Sequence, residues 1–119
     1  MNMTLVWIQC KGDVWCPLNT VNLPHAHFDD MNGVYIIWHG GAKAKTVYVG
    51  QGFIRDRLTA HRNNPEIQQF ASVGLFVTWA RVVQEDRRDG VERFLADRLC
   101  PIVGETHPVV APIEVNLPW

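Results

Sequence analysis

A charge of one sign is the first thing this chain lacks. Its 11 Lys and Arg stand against 12 Asp and Glu, a formal net charge of −1, so it has none of the basic excess of a dedicated DNA-binding protein. Any polyanion must be met by a local patch. No run approaches the roughly 18 apolar residues of a helical membrane span, and there is no heptad run, internal repeat or low-complexity tract. No membrane is therefore expected as a partner. Cysteine is scarce as well. Cys10, Cys16 and Cys100 leave at least one thiol unpaired, and no charged-then-apolar leader opens the chain. A reducing, cytoplasmic setting is the expectation. At 119 residues and 47% hydrophobic content the chain can fill one core and not two, so residues 1–119 are read as a single domain.

Tyrosine is scarcer still, with two in the whole chain, and both fall in short β-like runs. Gly33-Val34-Tyr35-Ile36-Ile37-Trp38 and Thr46-Val47-Tyr48-Val49-Gly50 place the phenols thirteen positions apart. Between the runs, a short stretch with Gly40-Gly41 and two lysines fits a hairpin loop. Gly50-Gln51-Gly52 then turns the backbone into a helix from Phe53 to about Asn63, and Pro65 opens a short second helix through Phe70. A third strand is expected from Leu75 to Val83. Asp86 or Asp89 is expected to cap a last helix carrying Val91, Phe94, Leu95 and Leu99 at helical spacing and ended by Pro101. Residues 1–32, with Thr4–Gln9 extended and the rest irregular, read as an N-terminal arm. Residues 102–119, with Pro108, Pro112 and Pro118, read as a proline-rich tail. The expected fold is α+β: a small three-stranded antiparallel sheet flanked by helices, with its core at 33–101.

Along the first long helix, Ile54, Arg57, Leu58 and His61 share one stripe. A structural helix would place apolar residues at 57 and 61, and a half-buried guanidinium needs partners. The tyrosines or a bound phosphate, the geometric match for the arginine fork, can supply them. Arg57 also sits in a basic stretch with Lys43, Lys45, Arg55 and Arg62, against the single acid Asp56. These four neighbours are the expected nucleic-acid contacts.

Gly33-Val34-Tyr35, then Tyr48-Val49-Gly50, an arginine nine residues on, a histidine four after it and a helix bearing Glu92 together resemble the GIY-YIG nuclease domain over roughly Gly33 to Pro101. The resemblance implies a metal-dependent endonuclease that hydrolyses DNA phosphodiester bonds. It assigns Tyr35, Tyr48, Arg57, His61 and Glu92 to catalysis, with Glu92 holding one Mg2+ or Mn2+. Tyr35 takes the part of general base and Tyr48 a supporting hydrogen bond, the phenols being acidified by Arg57 and the metal. Arg55 is open as an alternative motif arginine because the stretch after Tyr48 is one residue short. Asn116 is open as a replacement for an asparagine that many relatives carry after the glutamate helix. DNA is the implied partner, with branched or nicked forms and a protein partner supplying DNA affinity left open.

Blander readings stand beside these. Each tyrosine alone is most simply a packing residue, Arg57 can lie along a sheet edge, and Glu92 can favour the N-terminal turn of its helix through the dipole. The chain can then be a catalytically quiet nucleic-acid-binding or protein-interaction module. Cys10 and Cys16 with His25 and His27 miss the usual zinc spacings. Trp38 and Trp79 read as core. Trp7, Trp15 and Trp119 read as packing for the arm and tail, with an exposed one able to stack on a base.

Overall fold

A computed structural model describes residues 2–104 and 107–119. They form an α+β fold built on a four-stranded antiparallel sheet and three α-helices. In chain order the elements are β1 (Asn2–Met3), β2 (Cys16–Pro17), β3 (Asn32–His39), β4 (Lys45–Phe53), α1 (Ile54–Arg62), α2 (Pro65–Gln68), β5 (Leu75–Arg81), α3 (Glu85–Leu99) and β6 (Glu114–Val115). The sheet order is β2-β5-β3-β4. The three expected strands are its three long members. The fourth comes from the arm, where Cys16–Pro17 pairs with Phe76 and Val77 of β5, so the arm is partly regular.

Period-two alternation sorts the strands onto two cores. Tyr35, Ile37, Val77 and Trp79 face α1, where they pack with Ile54, Leu58 and Ile67. Val34, Ile36, Val49 and Ala80 face α3, where they pack with Val91 and Leu95. Ile54 and Leu58 are fully buried, each contributing about 1.5–3 kcal/mol of hydrophobic stabilisation. A bulge breaks the β3–β4 register: Ile37 pairs with Tyr48 and Trp38 with Thr46, leaving Val47 unpaired. The extra residue puts Val47 and Tyr48 on the α1 side together.

The arm is more regular than its composition predicts, and the extended proline-rich tail pairs with it. The N-terminal β1 pairs in parallel with β6 of the tail, and Ile8 N donates to Trp79 O at 3.0 Å. Residues 102 and 103 run along the open edge of β4, donating to Thr46 O and Val47 O. Helix α3 begins at Glu85 with Gln84 as its N-cap, so neither Asp86 nor Asp89 caps it. Asp86 lies in the first turn, and Asp89 instead accepts from the Gln51 side chain of β4. Cys10 and Cys16 form a disulfide and Cys100 is the free, exposed thiol. That bond removes both sulfurs from any zinc set. No helix among the described residues is long and apolar enough to cross a membrane.

Candidate active site

Tyr35 sits in the middle of β3, fully buried, directly opposite Gly50 of β4. A β-carbon at position 50 would meet the Tyr35 hydroxyl and lie 2.6 Å from Cζ. The glycine is what lets the phenol cross the neighbouring strand toward α1. Gly52, at φ 129°, occupies backbone space closed to most side chains, and the chain enters α1 two residues later. Ile54 N is satisfied by Met31 O at 2.9 Å, which anchors that first turn. Arg57 and His61, one turn apart on α1, then face the strand phenols.

The resulting contacts are short and directional. Tyr35 Oη lies 2.6 Å from His61 Nε2, and Arg57 Nε donates to Tyr35 Oη at 3.4 Å. A guanidinium can only donate, so the Tyr35 hydroxyl accepts from Arg57. Its second bond, to His61 Nε2, runs in the direction that the imidazole tautomer sets. Burial first, and then the Arg57 charge, lowers the His61 pKa from 6.5 to about 4. At neutral pH the ring is uncharged. The two tyrosine rings stack at 6.0 Å with 16° between planes, and Tyr48 lies 4.4 Å from the His61 ring. Arg57 is held above its ordinary value, chiefly by its hydrogen bond to Tyr35 and next by that phenol's charge, with burial opposing.

One electrostatic expectation is reversed. Burial pushes the Tyr35 phenol well above the usual tyrosine range, outweighing the hydrogen bond and charge of Arg57, while Tyr48 and Glu92 raise it further. Arginine alone does not acidify Tyr35. Tyr48 differs in that it is only half-buried.

Glu92 is carried by α3 against β4 and is 8% exposed. Burial is the main force raising its pKa and Asp89 adds to it, whereas His107 and Arg57 oppose. His107 Nδ1 lies 3.6 Å from Glu92 Oε2. That is too long for a hydrogen bond, and this buried nitrogen has no other partner among the described residues. An orphaned imidazole nitrogen beside a buried carboxylate offers a nitrogen–oxygen donor pair to a divalent ion. Among the described residues no group of three or more His, Cys, Asp and Glu side chains is disposed to hold a metal.

Compared with known protein families, curated proteins and solved structures, the chain matches none.

Tyr35, Tyr48, Arg57 and His61 converge, while Glu92 is carried on α3, whose Val91 and Leu95 pack the opposite face of the sheet. Of the two candidate motif arginines, Arg57 is the one at the phenols. Arg55 points away and binds the arm, donating to Leu23 O and His25 O and pairing with Asp29 at 2.8 Å. Arg62 is likewise spent on the arm, with Leu18 O at 2.8 Å and Val21 O at 2.5 Å. Two of the four expected nucleic-acid contacts are thus structural, because backbone carbonyls of the arm claim them. Lys43 and Lys45 are exposed in and beside the hairpin loop. Asn116 lies away from the phenols, exchanging hydrogen bonds with the Leu5 backbone at 2.6 and 3.0 Å. His27 accepts from Trp79 Nε1 at 3.1 Å, and His25 Nδ1 accepts from His27 N. His107 escaped the sequence reading because it lies in a proline-rich tail with no periodic signal. Only the chain's return across β4 brings it to Glu92.

Proposed function

We propose that this chain is a metal-dependent endonuclease of the GIY-YIG type, hydrolysing DNA phosphodiester bonds. The observation that carries the reading is the convergence of both phenols, Arg57 and His61 on the α1 face of the sheet. Arg57, a permanent cation, takes the non-bridging oxygens of the scissile phosphate and offsets charge that grows in the transition state. The Tyr35–His61 pair positions it. Tyr48 is the phenol with access to solvent, so it takes the water-facing role that the motif alone gives to Tyr35. Glu92 would hold Mg2+ or Mn2+, with His107 beside it as a nitrogen donor suited to the softer Mn2+, and the ion would supply Lewis-acid stabilisation and an acidified water.

A catalytically quiet binding module is the second reading. It is favoured by the burial of Glu92 and by the commitment of Arg55 and Arg62 to the arm. Supercoiled-plasmid nicking with and without Mg2+ or Mn2+, alongside band-shift binding, separates the two. Metal-dependent nicking supports the hydrolase; binding with no nicking in either metal supports the quiet module. If the catalytic domain lacks only affinity, fusing it to an unrelated DNA-binding domain will raise cutting.

A further inference from the structure

Three tryptophans take no part in the cluster described above. Trp7 and Trp79 commit their indole N–H groups to Asn116 O and His27 Nε2. Trp15, Trp38 and Trp119 instead meet one another, with centroids 4.9 to 6.1 Å apart and planes steeply inclined. Trp38 is backed by Phe76, stacked at 6.0 Å. Together with Lys45, Arg98 and Cys100 these indoles line an open cleft of about 600 Å³. Among the described residues no acidic side chain lines it, and neither Lys45 nor Arg98 forms a salt bridge. Trp119 is 58% exposed.

Aromatic walls beside two unneutralised cations suit a planar heterocycle joined to a phosphate. Base stacking on aromatic side chains is tolerant of sequence, and lysine and arginine track the backbone. A neutral apolar ligand would leave both cations unused. The position is also right for a chain of nucleotides. Lys45 and Thr46 precede Tyr48 by two or three residues on β4, and Arg98 to Cys100 follow Glu92 by six to eight on α3. At a helical rise of ~1.5 Å per residue the cleft lies roughly 10 Å from Glu92, about three stacked steps of ~3.4 Å along one strand.

We infer that the Trp15–Trp38–Trp119 cleft binds an unpaired nucleotide, stacking its base on the indoles with its phosphates against Lys45 and Arg98. As a subsite of the nuclease the cleft rests on the reading above, but nucleotide binding itself can be measured without cleavage.

Metal-free protein is titrated with the single strand dT10 by tryptophan fluorescence, with an abasic decamer and a proline-rich decapeptide as comparison probes. The expected result is quenching by dT10, weaker binding of the abasic strand, and protection of Cys100 from a thiol reagent. Trp119→Ala and Lys45→Ala, both at exposed positions, should weaken dT10 binding about tenfold or more. No binding of dT10, equal binding of the abasic strand, wild-type affinity in both variants or tighter binding of the peptide each overturns the inference. Plasmid nicking in the same preparation separates the two proposals. A protein that binds dT10 in the cleft yet never nicks retains the nucleotide site and loses the hydrolase; one that nicks with an unprotected Cys100 does the opposite.

Discussion

His61 combines deep burial with the charge of Arg57 beside it, both of which favour the neutral ring, and stability should record that. With a folded pKa near 4 against 6.5 for the free side chain, the unfolded chain binds the extra proton between those values. Its contribution is fully present above pH 6.5 and is lost as pH falls toward 4, on the order of 2–3 kcal/mol. Urea unfolding of wild type and His61→Gln at pH 7.5 and 4.5 checks this. The wild type should lose more stability than the variant on acidification; parallel losses would contradict the burial of a neutral ring. Glu92 carries the opposite sign. Its raised pKa means that ionisation opposes folding, so stability falls as pH climbs above the ordinary carboxylate range. Glu92→Gln should melt higher than wild type at pH 7 and lose that advantage near pH 4, while abolishing nicking. A carboxylate kept at a cost to stability is what a functional role requires. A variant that melts lower at pH 7 would argue for a structural glutamate.

At the scale of elements, β4 organises the site. Its bulge sets Val47 and Tyr48 on one face, its Gly50 lets the Tyr35 ring pass, and its end delivers α1 with Arg57 and His61 facing back. Gly50→Ala should therefore displace Tyr35 and lower stability by about 1–3 kcal/mol, the usual range for overpacking. Thermal unfolding measures the loss, and an unchanged melting temperature would show that the strand has room to spare. Arg62 and Lys45 make a second contrast. Arg62→Ala strips two arm carbonyls of a charged donor and should cost about 1–3 kcal/mol with the salt slope of DNA binding unchanged. Lys45→Ala should leave stability alone and reduce that slope by about 1. Equal slopes for the two variants would mean that the arm arginine reaches DNA after all. The three long strands and all three helices were legible in the sequence because each is local, signalled by alternation, Pro65 or a recurring apolar stripe. The roles of Arg55 and Arg62 were not, since their partners lie about thirty to forty-four positions away along the arm.

For the molecule as a whole, what escaped the sequence is what closes the chain on itself. The parallel pairing of β1 with β6, the clasp of Asn116 on Leu5, the Cys10–Cys16 bond and the approach of His107 to Glu92 all join distant or irregular segments. None leaves a periodic trace. The convergence of Tyr35, Tyr48, Arg57 and His61 was legible because it follows from two neighbouring strands and the helix after them. Function then turns on whether that cluster works on phosphate. The most direct measurement is nicking of supercoiled plasmid by purified wild type, Arg57→Ala and Glu92→Gln in Mg2+ and Mn2+, each variant first shown to be folded. The account predicts metal-dependent nicks from wild type and a loss of at least about a hundredfold in either variant. Wild-type rates in a folded Arg57 or Glu92 variant would contradict it.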